Sequence, residues 1–229
     1  DESIQTGIQA YNYAMNKITE IVGNDVFINL SMAPIFPYNY ANGRRLCCDT
    51  YYKINETEYM LNSLTYGFWQ SELYDWIDPD HIVVWGKDGK ANAREARSRV
   101  LSGVVTGGSF LTGDNFINPA GKASGAFGRY EELLTNERLL DVLKTGVPFE
   151  GVLDESCPYA AEMFTLEKDG KTYIAVFNYS KILVKTKVVD IPKGATAENL
   201  FTGKKQTCRT GKLMVTLQPG DSVIYEIAK

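Results

Sequence analysis

The sequence predicts two structural classes in one chain, an α/β part followed by an all-β antiparallel domain. Up to about residue 145, helical and strand patterns alternate, and their connections are long enough for parallel crossovers. After about residue 150, apolar and polar residues alternate between turn signals instead. Glycine and proline cluster where the pattern changes. We therefore predict an α/β domain over residues 1–148 and a β-sandwich domain over residues 149–229.

The predicted helices of the first part are amphipathic. Apolar residues recur every three or four positions from Ile8 to Val22 and predict a helix that ends at Gly23-Asn24. Asn55, with Glu58 three residues later, is typical of a capping box at the start of a second helix. Two further helices are predicted over 93–105 and 129–144.

Four short apolar runs predict buried strands, over residues 26–32, 45–48, 81–86 and 109–112. About four strand–helix units are too few for a closed eight-stranded barrel. From this pattern alone, an open doubly wound sheet is equally compatible with the chain.

The second part carries a strong hairpin signal at Asp169-Gly170, which is typical of a type I′ turn. Further alternating runs follow, separated by turn residues, and predict a sandwich of about six to eight strands.

Composition excludes several classes of function. The 229 residues carry a net charge of −4, whereas a nucleic-acid-binding protein would present a basic stripe. No run approaches the ~18 uninterrupted apolar residues of a membrane span. The first residues lack an initiator Met and the features of a signal peptide, so we expect a processed chain or a piece of a larger protein. We therefore predict neither a nucleic-acid nor a membrane partner.

Cysteine and histidine are too few for a zinc site, because the chain has four Cys, one His and no CxxC spacing. A cysteine nucleophile would need His81, the single histidine, as its partner, and we do not favour that interpretation. No cofactor and no metal are predicted.

Acidic residues lie at or near the ends of several predicted strands. Asp49 follows the run 45–48, Asp78 and Asp80 precede the run 81–86 beside His81, and Asp114 follows the last run. Functional side chains of parallel α/β folds gather at strand carboxyl ends. Carboxylates without metal-binding partners favour acid/base chemistry, although each alone is also an ordinary turn residue, Asp114 above all.

Arg45 lies four residues before Asp49. Its guanidinium could hold a hydroxylated ligand or form an ordinary ion pair, and the spacing alone favours neither.

Three segments together resemble a known family. They are RRLCCDTY (44–51), GFWQSELYDWIDPDHIVVWG (67–86) and NAREARSRVLSGVVTGGSFLTGDNF (92–116). They resemble the second half of the catalytic barrel of glycoside hydrolase family 27, the α-galactosidase and α-N-acetylgalactosaminidase family. The stretch TNERLLDVLKTGVPF (135–149) is similar to the segment that precedes the family's C-terminal sandwich.

The resemblance implies a fold and a mechanism. The α/β part would be the second half of a TIM (β/α)₈ barrel, and the enzyme would be retaining, with two carboxylates about 5–5.5 Å apart. By resemblance, Asp49 is the acid/base catalyst, and Arg45 and Asp80 bind the sugar. His81 stands where the family often has Met, and is expected to line the pocket or to hydrogen-bond the sugar.

The resemblance also implies that half of the active site is missing. The first helix is similar to the family's fourth barrel helix, so the nucleophilic Asp, found in a K-x-D context at the end of the fourth strand, would lie before residue 1. We therefore predict a fragment of an exo-glycosidase acting on terminal α-linked galactose or a related sugar, and no turnover by this chain alone. Half a barrel leaves sheet edges uncovered, so the expected partner is the missing N-terminal half or a second chain.

The sequence also offers features of two other functions. In a non-catalytic carbohydrate-binding or structural module, aromatic side chains of the sandwich would stack on sugars, the candidates being Tyr159, Phe164, Tyr173 and Tyr179. Phe164 and Tyr173, however, fit the inward-facing alternation of core residues. A nucleotide-binding domain is disfavoured because Gly107-Gly108 is not part of a glycine-rich phosphate loop.

Overall fold

The computed structural model describes residues 3–86, 89–116, 125–154 and 159–228. Its first part contains a three-stranded parallel sheet in the order β1-β2-β3. These strands are β1 (Asn29–Leu30), β2 (Gly43–Arg45) and β3 (Trp76–Asp78). A single parallel bridge between Ile82 and Thr112 continues this arrangement beyond β3. The predicted α/β class of the first part is confirmed.

Five α-helices and one 3₁₀ helix accompany this sheet in the described part of the chain. They are α1 (Gly7–Val22), α2 (Ile54–Gly67), the 3₁₀ helix Phe68–Glu72, α3 (Ala93–Thr106), α4 (Ala126–Leu134) and α5 (Glu137–Leu143). None of the described helices combines the length and the apolar character needed to cross a bilayer.

The second part is antiparallel throughout. Six strands form one sheet in the order β4-β5-β6-β11-β8-β9, and β7 pairs with β10. The strands are β4 (Glu150–Val152), β5 (Met163–Lys168), β6 (Lys171–Phe177), β7 (Lys185–Asp190), β8 (Thr196–Asn199), β9 (Lys205–Thr207), β10 (Lys212–Leu217) and β11 (Ser222–Ala228). The β5–β6 hairpin closes through Asp169 and Gly170, both with positive φ (51° and 75°), as a type I′ turn requires. The predicted sandwich and hairpin are confirmed.

Three of the four strand predictions need correction. The run 45–48 shares only Arg45 with β2, and the runs 81–86 and 109–112 pair only through the isolated bridge between Ile82 and Thr112. The Leu46 and Ile82 amides still donate to backbone carbonyls, those of Asp78 and Leu111 at 3.0 and 2.6 Å, but amides nearby donate to carboxylates instead. The Asp114 carboxylate accepts hydrogen bonds from the amides of residues 84–86 at 2.7–3.1 Å, and the Asp80 carboxylate accepts one from the Thr50 amide at 2.6 Å.

The helix predictions hold, with two corrections to their ends. Helix α2 begins at Ile54, and the carboxylate that accepts the Lys53 N–H belongs to Glu56 (3.0 Å) rather than Glu58. The single helix predicted over 129–144 is divided in two, because the Asn136 side chain accepts N–H groups and starts α5 there. Gly23 ends α1 as predicted.

One hydrophobic core joins the helices to the sandwich. It contains Leu61 of α2, Leu101 of α3, Leu139 of α5, Phe164 of β5 and Ile224 of β11. Polar contacts reinforce the junction at α3, where Arg97 pairs with Asp221 at 3.0 Å and Ser98 Oγ donates to the Gly220 carbonyl at 2.8 Å. The sandwich therefore supports α3 directly.

Close backbone packing explains the glycine pair at the end of α3. A Cβ at Gly107 would lie 2.4 Å from the Val147 carbonyl, and one at Gly108 would lie 1.6 Å from the Ile77 carbonyl oxygen. Gly107 also has φ +65°, where a side chain is strained. The pair allows the chain to pass close to β3, so its role is in packing.

We expect Leu101→Ala to lower the free energy of unfolding by about 2–5 kcal/mol, because Leu101 is fully buried in the shared core and its loss leaves a cavity. Urea denaturation measures this change. Leu183→Ala is the control, since Leu183 is 59% exposed, and should cost less than about 0.5 kcal/mol. Equal effects of the two substitutions would contradict a continuous core at α3.

Candidate active site

The carboxyl ends of β2 and β3 lie side by side. Arg45 is the register partner of Asp78, so these two residues leave the sheet at the same edge. Asp49 follows four residues after Arg45, and Asp80 follows two residues after Asp78. The short strands thus bring four charged side chains to one edge, as is usual for functional groups in parallel α/β folds.

Asp80 is the buried centre of this cluster, with 6% of the residue exposed. Its Oδ1 lies 3.1 Å from Arg45 Nη1 and 3.2 Å from His81 Nδ1. Its Oδ2 accepts the Thr50 amide at 2.6 Å. Both carboxylate oxygens are therefore engaged by the protein, which meets the requirement that a buried charge be paired and hydrogen-bonded.

Arg45 links the buried carboxylate to an exposed one. Its Nη2 donates to Asp49 Oδ1 at 3.1 Å, while the Asp49 side chain remains 65% exposed. Burial acts to lower the pKa of Arg45, but the Asp80 and Asp49 carboxylates outweigh it and raise that pKa. The guanidinium is therefore a permanent cation that holds Asp49 at the rim.

The Asp78 side chain, at the end of β3, joins β1 to the turn that follows β3. Its Oδ1 accepts the Asp80 amide at 2.7 Å, and its Oδ2 accepts Asn29 Nδ2 from β1 at 2.6 Å. Sequence reasoning missed Asn29. Asn29 is a polar residue in the predicted strand 26–32, and a polar side chain at a strand is the same signal that singled out the aspartates.

His81 occupies a closely packed slot beside Asp80. Its ring meets Tyr51 edge-on at 5.2 Å between centroids, and a Cβ at Gly113 would lie 2.4 Å from its Cδ2. Because the Asp80 carboxylate is an acceptor, Nδ1 is assigned the proton of the neutral ring, which leaves Nε2 as the acceptor. The side chain is 30% exposed, so a ligand can reach part of it.

The structure explains Asp114 as a turn residue. Its two oxygens accept the amides of Val84, Trp85 and Gly86 at 2.7, 3.1 and 2.8 Å. These bonds fold the segment after β3, and they leave the carboxylate committed to the backbone.

Two alternative chemistries find little support at this edge. Cys47 is buried, and burial raises the pKa of its thiol to about 11, which disfavours a nucleophilic thiolate. Cys157 lies outside the described residues. Among those that are described, no three His, Cys, Asp or Glu side chains are placed to hold a metal ion.

The aromatic side chains proposed for sugar stacking on the sandwich are mostly internal. Phe164, Tyr173 and Tyr179 are buried, as the alternation predicted for the first two, and only Tyr159 of the four is exposed. The prediction that these four residues form a platform for sugar stacking is therefore wrong.

Comparison with solved structures identifies the fold. A β-L-arabinopyranosidase of glycoside hydrolase family 27 from Geobacillus stearothermophilus superposes with a TM-score of 0.75 over 95% of this chain, at 18% identity. The α-galactosidases from Mortierella vinacea and Saccharomyces cerevisiae each cover 98% of the chain, with TM-scores of 0.72 at 11% and 12% identity. The chain has a glycoside hydrolase family 27 fold. The predicted resemblance is thus confirmed at the level of the fold.

The chain spans only part of the length of these family 27 relatives. The chain spans 54% of the arabinopyranosidase, 64% of the Mortierella enzyme and 69% of the Saccharomyces enzyme. No protein-family model and no curated protein matches the sequence.

We expect Cys48 to react with a thiol reagent such as DTNB at pH 8 far faster than Cys47, in a Cys157→Ser background. Cys48 is exposed, whereas a pKa of about 11 leaves only about one Cys47 thiol in a thousand ionised at that pH. Cys48→Ser should therefore abolish the fast phase of thionitrobenzoate release from DTNB, and Cys47→Ser should preserve that phase. A fast phase that instead depends on Cys47 would reopen the cysteine-nucleophile interpretation.

Proposed function

We propose that this chain is the C-terminal part of a retaining exo-glycosidase that hydrolyses terminal α-linked galactose or a closely related sugar. The observation that carries the proposal is the Arg45–Asp49 pair at the carboxyl edge of the parallel sheet, in which a largely buried Arg45, paired with the buried Asp80, holds an exposed Asp49. The family 27 fold supports the same reaction class, since the relatives named above are glycosidases.

Asp49 acts as the acid/base catalyst in this proposal. Arg45 contacts its Oδ1, and among the described residues no hydrogen bond is found to Oδ2, which is available to carry the proton. Protonated Asp49 donates to the glycosidic oxygen as that C–O bond breaks and a nucleophilic carboxylate bonds to the anomeric carbon. In the second step Asp49 takes a proton from water, which displaces the enzyme carboxylate and releases the sugar.

The nucleophile lies outside this chain in this proposal, on a strand that precedes α1. In the described part of the chain, three other carboxylates stand near the edge, and each is committed to the protein: Asp80 to Arg45 and Thr50, Asp78 to Asn29, and Asp114 to backbone amides. None of these three is offered to a substrate as Asp49 is. The relatives' additional length is where the second carboxylate is to be sought.

The sugar is held by Arg45 and His81 in this proposal. The Arg45 guanidinium supplies donors, and the Nε2 of His81 supplies an acceptor for a sugar hydroxyl. Asp80 was predicted to bind the sugar. Because both its oxygens are already engaged, we propose that it contributes through Arg45 and His81, which it orients.

The partner in this proposal is the missing N-terminal half of the barrel. Helix α1 buries Met15 but leaves Ile8 70% and Ile21 82% exposed, and Phe27 and Met32 on either side of β1 are also exposed. Apolar surface and the edge strand β1 therefore lie together where the preceding strands of a barrel would pack. A second copy of the chain is the competing occupant, and chain mass by light scattering distinguishes the two.

Asp49→Asn in the full-length protein should reduce hydrolysis of substrates with poor leaving groups by about 10²–10⁴-fold, because a proton donor is lost. Activated aryl galactosides need no protonation, so bond cleavage should slow far less, with a burst of aryl alcohol as the intermediate accumulates. Steady-state and burst kinetics with both substrate classes measure this. Asp141→Asn is the control, since it also removes an exposed ion-paired carboxylate. Equal losses on both classes would contradict the acid/base role.

The isolated 229-residue chain should show no turnover of aryl α-galactosides, because it provides only one of the two carboxylates. Mixing it with a separately expressed upstream segment should restore hydrolysis, which a fluorogenic galactoside detects. Turnover by the pure chain alone would show that the nucleophile lies within it.

A further inference from the structure

We propose that Arg99 is a positioning residue of this site. It clamps the turn Pro79–His81 and thereby orients Asp80, which directs Arg45 toward Asp49. This inference rests on the proposed function for its catalytic consequence. The clamp itself rests on contacts within the described residues. Arg99 lies on α3, touches no candidate substrate-binding side chain directly, and was not singled out by the sequence.

Arg99 is completely buried, and one of its two terminal nitrogens faces the backbone of the turn. Its Nη2 lies within donating distance of three consecutive carbonyl oxygens, those of Pro79 at 2.9 Å, Asp80 at 3.2 Å and His81 at 2.6 Å. Its Nη1 donates to Ser102 Oγ at 3.0 Å. No carboxylate oxygen in the described residues hydrogen-bonds this guanidinium, so the three carbonyls and Ser102 Oγ are its hydrogen-bond partners.

A buried arginine of this kind is costly, which argues for a specific role. Burial lowers the pKa of Arg99 to about 10, so the side chain still carries its charge at neutral pH. An apolar side chain would fill the same space between α3 and the sheet without that desolvation. What an apolar side chain cannot do is hold three carbonyl dipoles that converge on one point.

The turn itself needs such a clamp. Asp80 has φ +66°, a left-handed conformation that residues other than glycine adopt uncommonly. In this conformation the Asp80 carboxylate reaches the Thr50 amide and Arg45 Nη1, and places His81 Nδ1 beside its Oδ1. If the turn relaxed, Asp80 would leave Arg45, and Arg45 would lose the anchor that directs it toward Asp49.

Amide hydrogen exchange in the full-length protein tests the clamp without reference to activity. In the wild type, the Thr50 and Asp80 amides should exchange no more than about tenfold faster than core amides of α3, because the turn is tied to that helix. The same ratio should rise at least tenfold in both Arg99→Met and Arg99→Lys. The rise should be larger in the methionine variant, because lysine keeps one donor although its single ammonium cannot reproduce the fork. Val104→Ala, a buried change on the same helix, should leave the ratio unchanged.

Kinetics test the positioning role in the same variants. Arg99→Lys should lower kcat for poor leaving groups about 10–100-fold, with a smaller loss for aryl galactosides, whereas a merely destabilised enzyme would lose both in proportion to its folded fraction. Fast local exchange of Thr50 in the wild type, or an unchanged ratio in the folded variants, would overturn the clamp. If both variants fail to fold, the ratio of the Thr50 and Asp80 exchange rates to those of the α3 core amides in the wild type still tests the clamp. An inactive wild type with the predicted exchange pattern would refute the proposed function and leave the clamp standing.

Discussion

The buried carboxylate of Asp80 is the constraint on which the site depends. A charge that is 6% exposed has to be satisfied within the protein, and Asp80 achieves this with a guanidinium, a backbone amide and an imidazole. Those partners come from the ends of two neighbouring strands. Satisfying one carboxylate therefore aligns the segments after β2 and β3, and fixes the direction in which Arg45 emerges from the sheet.

The carboxylates at this edge divide into two chemical roles according to exposure. Asp78, Asp80 and Asp114 act as acceptors that hold the loops together, because each is bonded to amides or cationic side chains inside the protein. Asp49 is different, since one oxygen is held by Arg45 and its side chain is largely open to solvent. A group that must exchange protons with a substrate and with water needs that access.

The sandwich contributes to the site through α3 rather than through its own surface. Its core is continuous with that of the helices, and Arg97 and Ser98 bind the β10–β11 turn from the same helix that carries Arg99. Arg99 in turn holds the backbone that carries Asp80. The antiparallel domain thus supports the turn behind the proposed catalytic group, and its buried Phe164, Tyr173 and Tyr179 belong to the shared core.

Local patterns in the sequence determined the helices, the β5–β6 hairpin and the Arg45–Asp49 spacing, because capping, apolar periodicity and turn preferences act over a few residues. Only the tertiary structure decided where the short strands lie, since the amides of residues 84–86 donate to the Asp114 carboxylate, nearly thirty residues away, rather than to a neighbouring strand. It alone showed Asn29 joined to Asp78, and Arg99 joined to the turn that carries Asp80. Long-range hydrogen bonds of buried polar groups leave no periodicity in a sequence, and this site is built almost entirely from them.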